Sequence, residues 1–182
     1  MSRTRRLLVA CPLLLLAACH GKVTMTTYTQ PAGRFSVLVP EPGTMSYATR
    51  PMRYMGADVQ LECYVAEQDG VTYTVNYFDI PADVNADLLR QRANFSAIPG
   101  LLAMIDENHW SAGETRLARV VGPGGVGIYG RRFEATTDKQ ILAVQVVWHS
   151  NRMYQVIMAR PVQPSYQQQV NGDKFVDSFK LI

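Results

Sequence analysis

The sequence is poor in the patterns that usually announce chemistry. Its 182 residues include 3 cysteines and 3 histidines. There is no C-x-x-C. His20, His109 and His149 stand at none of the short spacings (H-x-H, H-x₃-H, H-E-x-x-H) that bring two imidazoles to one metal. The expectation is no metal and no cofactor. Neither a G-x-S-x-G nucleophile elbow nor a G-K-[S/T] phosphate loop occurs. No apolar run reaches about 18 residues, so no segment is an obvious membrane-spanning helix. There is no internal repeat and no low-complexity tract. Acidic residues are missing from residues 1–18, and this changes the charge balance. The chain carries 18 Lys+Arg against 15 Asp+Glu, but Arg3, Arg5 and Arg6 all fall in that first stretch. Without them the chain is formally neutral, and a basic protein with nucleic acid as partner loses its support. A chain that is 47% hydrophobic and 18% charged suits one globular domain.

What the sequence does hold is an address. Met1 to Arg6 is basic, and Leu7 to Ala18 is apolar apart from Pro12. That order marks a secretory signal rather than a structural element. It ends in Leu16-Ala17-Ala18-Cys19, which resembles the bacterial lipoprotein box. The resemblance implies cleavage before Cys19, a diacylglyceryl thioether on its sulfur and acylation (palmitate or a similar chain) of its new amino group. Several acyl chains hold a protein on a membrane where one is marginal. His20 stands where an Asp would retain an enterobacterial lipoprotein in the inner membrane. The expected location is therefore the cell envelope, on the periplasmic face of the outer membrane. Cys11 leaves with the leader and Cys19 takes lipid. Only Cys63 keeps a thiol, and no intramolecular disulfide can form in the mature chain.

The organisation expected is a signal peptide over 1–18, a lipidated N-terminus and tether over 19–33, and a folded domain over 34–182. The tether reading rests on a polar, Thr-rich stretch closed by Pro31-Ala32-Gly33. Arg34 to Val39 reads as a strand stopped by Pro40. Residues 58–65 and 71–77 alternate in polarity around Asp69-Gly70, a strong hairpin signal. A helix is predicted over 83–98 and a short apolar piece over 101–105. Strands are predicted near 115–121, 128–136, 141–149 and 152–159, with Ser150-Asn151 as a tight turn in which Asn151 takes the positive φ. A last helix follows Pro164, locally weakened by Asn171-Gly172. Strands 141–149 and 152–159 are apolar on both faces, which suggests cover on both sides. The expected fold class is α/β, a mostly antiparallel sheet covered by helices on both faces.

This order, with certain landmarks, resembles the PsbP-like superfamily of α/β/α sandwich domains. The landmarks are Gly33-Arg-Phe-Ser-Val-Leu-Val-Pro40, Tyr73-Thr-Val-Asn-Tyr-Phe-Asp79, Gly130-Arg-Arg-Phe-Glu134, Arg152-Met-Tyr-Gln-Val156 and Phe175-Val-Asp-Ser-Phe-Lys180. The resemblance covers about residues 33–182. It implies a binding or assembly module without enzymatic activity and carries no substrate with it.

The remaining candidates are weak as chemistry. Gly122-Pro-Gly-Gly-Val-Gly127 matches G-x-G-x-x-G, but a strand follows it where a dinucleotide site needs a helix. Cys63 shares a strand face with Val59, Leu61 and Val65 and reads as a small buried hydrophobe. Arg131-Arg132 and Arg50-Pro-Met-Arg53 are small basic clusters, either solvated or in contact with acidic lipid or protein. Met45, Met52 and Met55 with Tyr47 and Tyr54 either pack on the core or form an adaptable binding edge. The expected function is a membrane-anchored, non-enzymatic module that binds an envelope protein. The alternative is a domain holding a small or lipidic molecule beneath the Met/Tyr segment. A hydroxyl or thiol nucleophile bonded to His109 or His149 would revive an enzyme.

Overall fold

The computed structural model describes residues 23–54, 56–82 and 111–182. Its strands are β1 Met25–Gln30, β2 Phe35–Pro40, β3 Ser46–Tyr54, β4 Ala57–Gln68, β5 Val71–Asp79, β6 Ser111–Ala112, β7 Arg116–Val121, β8 Gly127–Thr136, β9 Gln140–His149, β10 Arg152–Pro161 and β11 Lys180–Leu181. One α-helix is among the described residues, α1, Tyr166–Ser178. The helix predicted over 83–98, the apolar piece at 101–105, Cys19, His20, Met55 and His109 lie outside the described residues.

The strands form one sheet in the order β1-β2-β11-β7-β8-β9-β10-β5-β4-β3, with β6 beside β8. Every pairing is antiparallel except β11 with β7, which is parallel. Local chemistry explains the turns. Asp69 and Gly70 both take positive φ (51° and 74°), as a two-residue hairpin between right-twisted strands requires. Between β9 and β10 it is Ser150, not Asn151, that takes positive φ (59°). The Trp148 indole N–H donates to the Ser150 carbonyl at 3.0 Å and holds that turn.

Helix α1 starts at a capping box, Ser165 with Gln168. The Gln168 amide also donates to the Asp69 carbonyl at 2.6 Å, tying the helix start to the β4–β5 turn. Gly172, read from sequence as a weak point, has a packing role. A Cβ there would stand 2.6 Å from the Met158 methyl, so glycine lets α1 sit close on β10.

A sheet this wide curls under its own twist. Strands far apart in its order therefore meet across the concave face. Tyr28 on β1 lies 6.2 Å from Tyr64 on β4, and Phe35 on β2 lies 6.3 Å from Tyr77 on β5, centroid to centroid. Helix α1 enters the same face, with Phe175 5.2 Å from Tyr73 and the α1 C-cap residue Phe179 5.7 Å from Tyr154. This gives the first core cluster, built on Phe35, Val37, Tyr73, Val75, Val156 and Phe175. A second cluster, with Phe78, Phe133, Leu142, Val144, Val146 and Met153, lies on the opposite face.

Two expectations are corrected here. The α/β sandwich with a sheet covered by helices on both faces is overturned. The described residues are mostly strand, with one helix on one face, and the sheet covers part of its concave side by curling. The two-faced apolarity of β9 and β10 is real, with Leu142–Val147 buried throughout, but it does not require two helical layers. The second correction concerns residues 19–33. Met25–Gln30 pairs with β2 from Met25↔Pro40 to Gln30↔Phe35, so the folded sheet begins at Met25, not at Arg34. Alternating Thr and Tyr gave β1 the polarity of a linker, because its Thr side chains face solvent or sit half-buried at an edge.

Candidate functional site

The register defines two ends of the sheet. The start of β1, the β4–β5 turn and the start of α1 lie at the base. The β1–β2 turn, the β7–β8 turn, the β9–β10 turn and the end of β5 lie at the tip, because Arg152 opposes both Asp79 and His149, and Val121 runs beside Lys180, which opposes Ser36.

A pocket of about 210 Å³ opens at the tip, lined by residues that include Arg34, Asp79, His149, Ser150 and Arg152. Its organising group is Arg152. The guanidinium grips Asp79 with two bonds, Nε to Oδ1 at 2.6 Å and Nη2 to Oδ2 at 2.8 Å. Nη1 donates to the Ala32 carbonyl at 2.8 Å, and the cation lies 4.5 Å from the Tyr77 ring centroid. Hydrogen bonding from Arg152 holds the Asp79 carboxyl below its ordinary range, against a smaller opposing effect of burial. The same bond pushes the Arg152 guanidinium up. Both therefore stay charged at neutral pH. Arg34 (φ 54°) and Ser150 (φ 59°) hold left-handed backbone on the pocket wall, a conformation that costs energy for residues with a Cβ. The arrangement is a charged recess. Among the described residues His149 has no hydrogen bond to a hydroxyl or thiol, and no group of three or more His, Cys, Asp or Glu is placed to hold a metal.

Beside the pocket projects the β7–β8 hairpin, whose connection includes a 3-10 turn, Pro123–Gly125. The G-x-G-x-x-G match is this connection, and β8 follows it directly. Leu117, Val121, Val126 and Tyr129 stand exposed on or at the end of the hairpin (64, 51, 65 and 61%).

The other sequence candidates separate. Arg132 on β8 is held by Asp177 at 2.5 Å and Asp173 at 3.5 Å, both on α1. Arg53 donates to the Gly56 carbonyl at 3.2 Å. Tyr47 is exposed and donates to Glu62 at 2.5 Å, a bond that pushes its phenol up to about 12. Met45 packs on the first cluster, and Met52 and Tyr54 belong to the second. Cys63 is 7% exposed, and burial pushes its thiol up, as suits an inert core sulfur. Sequence reasoning missed the Asp79–Arg152 pair. Both residues sit inside quoted landmarks, but they are 73 positions apart, and no local pattern links them.

No protein-family model matches the chain, and no curated protein matches it either. Among solved structures the chain is similar to the solution structure of cyanobacterial PsbP (CyanoP) from Synechocystis sp. PCC 6803. The TM-score is 0.50 at 12% identity, over 96% of this chain and 99% of that one. At that identity the likeness is one of fold. The described domain thus has a PsbP-like fold, as the landmarks implied.

Proposed function

We propose that the chain is an envelope lipoprotein, anchored by acyl chains on Cys19 at the periplasmic face of the outer membrane, whose domain is a non-enzymatic module for binding or assembling a protein partner. The observation that carries the protein-binding half is the packed concave face. A curled sheet can hold a small or lipidic ligand in its concavity. Here the rings of Tyr28, Phe35, Tyr64, Tyr77, Tyr154 and Phe179 occupy it in mutual contact. Of the Met/Tyr segment invoked by the rival ligand reading, Tyr54 is buried in the second cluster and Met45 and Met52 are half-buried against the clusters, while Tyr47 stays exposed. Recognition falls to the outer surface, where a folded partner can reach. The anchor half rests on the Leu16-Ala-Ala-Cys19 box. Metabolic labelling with a clickable fatty acid should mark the wild type and not Cys19→Ala. Crosslinking in intact cells, followed by mass spectrometry, should return a discrete envelope protein. An unlabelled wild type ends the anchor proposal. A purified chain that carries a stoichiometric small molecule ends the protein-binding one.

A further inference from the structure

We propose that the recess at the tip binds a small organic monocarboxylate, with Arg34 as the residue that takes its carboxylate. The inference goes beyond the protein-binding reading and adds an exchangeable small ligand at a different place. Stretches far apart in the chain converge on this recess: the β1–β2 turn, the end of β5, the β7–β8 connection, the β9–β10 turn and β11. At about 210 Å³ it is smaller than the roughly 300–1,000 Å³ clefts of drug-sized ligands, and too narrow for a folded partner or a bilayer surface.

The charge inside it is uneven. Its lining includes two arginines and one aspartate. Arg152 is engaged through all three nitrogens, twice to Asp79 and once to the Ala32 carbonyl. Arg34 is not. Its guanidinium has no ion pair and no hydrogen bond among the described residues, although its charge bears on both Asp79 and Tyr154. One positive charge is therefore left over. The recess is lined also by Asn151 and His149, whose side chains bring further N–H donors. An arginine fork matches a carboxylate. Asp79 in the same recess opposes a second negative charge on the ligand, which favours a monoanion over a dianion. Pro123, Leu181 and Ile182 give the remaining wall an apolar side, which suits an organic body.

The backbone supplies a second observation. The β1–β2 turn contains a glycine, yet the left-handed residue is its neighbour Arg34 (φ 54°). Gly33 serves a different need, since a Cβ there would stand 2.7 Å from the Phe35 ring and 2.8 Å from the Tyr77 ring. Glycine at position 34 would remove the left-handed strain, and an arginine stands there instead. Strain of this kind collects where a side chain must be presented to a ligand. Two bonds hold the strained residue in place. Arg152 grips the turn through Ala32, and the Ile182 N–H donates to the Arg34 carbonyl at 3.0 Å. Arg152 is thus a positioning residue and Arg34 the binding one.

The test titrates the full chain, purified in a nonionic detergent, with sodium butyrate at constant ionic strength, read by saturation-transfer NMR. Saturable binding with a Kd of about 1 mM is expected, because the site is open to solvent. Arg34→Gly should weaken it roughly tenfold or more, while the thermal midpoint stays or rises. Ser150→Gly relieves the other left-handed residue on the wall and keeps the cation, so its affinity should stay within about threefold of wild type. If Arg34→Gly lowers the midpoint, Arg34→Gln repeats the test without a change of backbone preference. Dimethyl phosphate should bind more weakly than butyrate, and phosphatidylglycerol vesicles should not compete with it. No saturable binding in wild type, wild-type affinity in the Arg34 variants, or preference for dimethyl phosphate or the vesicles would overturn the site. So would binding that appears only when the acids of residues 83–110 are changed to amides, or only with a neutral tail added after Ile182, because the chain would then fill the recess itself. Partner crosslinking in intact cells should be equal in wild type and Arg34→Gly. A ligand held at about 1 mM is lost on purification, so the protein-binding reading stands or falls on its own test.

Discussion

Two hairpins of the same sheet put similar ladders to opposite uses. In β4–β5 the turn is two residues, Asp69-Gly70, and α1 is bonded to it through Gln168. On β5, Val71, Tyr73, Val75, Tyr77 and Phe78 are all buried. In β7–β8 the connection is glycine-rich, and only Val120 and Phe133 are buried among the large side chains between Arg116 and Phe133. The difference is in the second layer. The first hairpin lies under α1 and opposite β1–β2, so its large side chains become core. In the second, Val120 and Ile128 meet the first cluster on that same face, whereas Leu117, Val121 and Tyr129 lie on the opposite face beyond the second cluster and remain surface. Residue type alone does not separate the two; position relative to the curl does.

Substitutions can break or sharpen this contrast. The largest effect is expected at Tyr73→Ala in the first hairpin, which removes a ring packed against Phe175. Its cost should be about 3–5 kcal/mol, read as a lower midpoint in urea. A loss below about 1 kcal/mol would mean the concave face is not the packed core described. Next comes Cys63→Ser on β4, which sets a hydroxyl in a buried site opposite Asn76, at about 1–3 kcal/mol if it finds no partner. In the native wild type the Cys63 thiol should react slowly with a maleimide reagent, and rapid labelling would contradict its burial. The Asp79–Arg152 pair at the tip should give a pH-dependent effect. Asp79 is held below its ordinary value of 3.8, so its stabilisation is complete above that value and is lost as pH falls through the lowered one. Melting temperatures followed from pH 6 toward about 2 should fall less steeply in Asp79→Asn than in wild type. Parallel curves would show that the pair adds no acid sensitivity. The smallest stability effect is expected at Tyr129→Ala in the second hairpin, within about 0.5 kcal/mol, because an exposed ring has little packing to lose. A loss as large as that of Tyr73→Ala would erase the distinction between the hairpins.

Much of the strand pattern is legible in the sequence, and for local reasons. Alternation over 58–65 and 71–77 around Asp69-Gly70 predicts β4 and β5. Leu142, Val144, Val146 and Trp148 share a face as expected, all on the second cluster. Pro164 marks the approach to α1, which the structure starts at Tyr166. Polarity misled at β1, where an edge strand made of Thr and Tyr carries the composition of a linker. It misled again over cover, because apolar residues on both faces of a strand report burial without saying what does the burying. The tip pocket was invisible, since Asp79, Arg152 and Ala32 meet only through strand pairing and a turn.

The sequence by itself carries the proposal of an anchor at Cys19, the formal neutrality of residues 19–182 and the positions of most strands, because each depends on neighbours within a few residues. Only the tertiary structure decided which apolar residues became core and which became surface. Burial is a property of what lies opposite. The twist of a wide sheet brought β1 and β2 over β4 and β5 on the concave face, while Leu117, Val121 and Tyr129 lie on the opposite face and stay exposed.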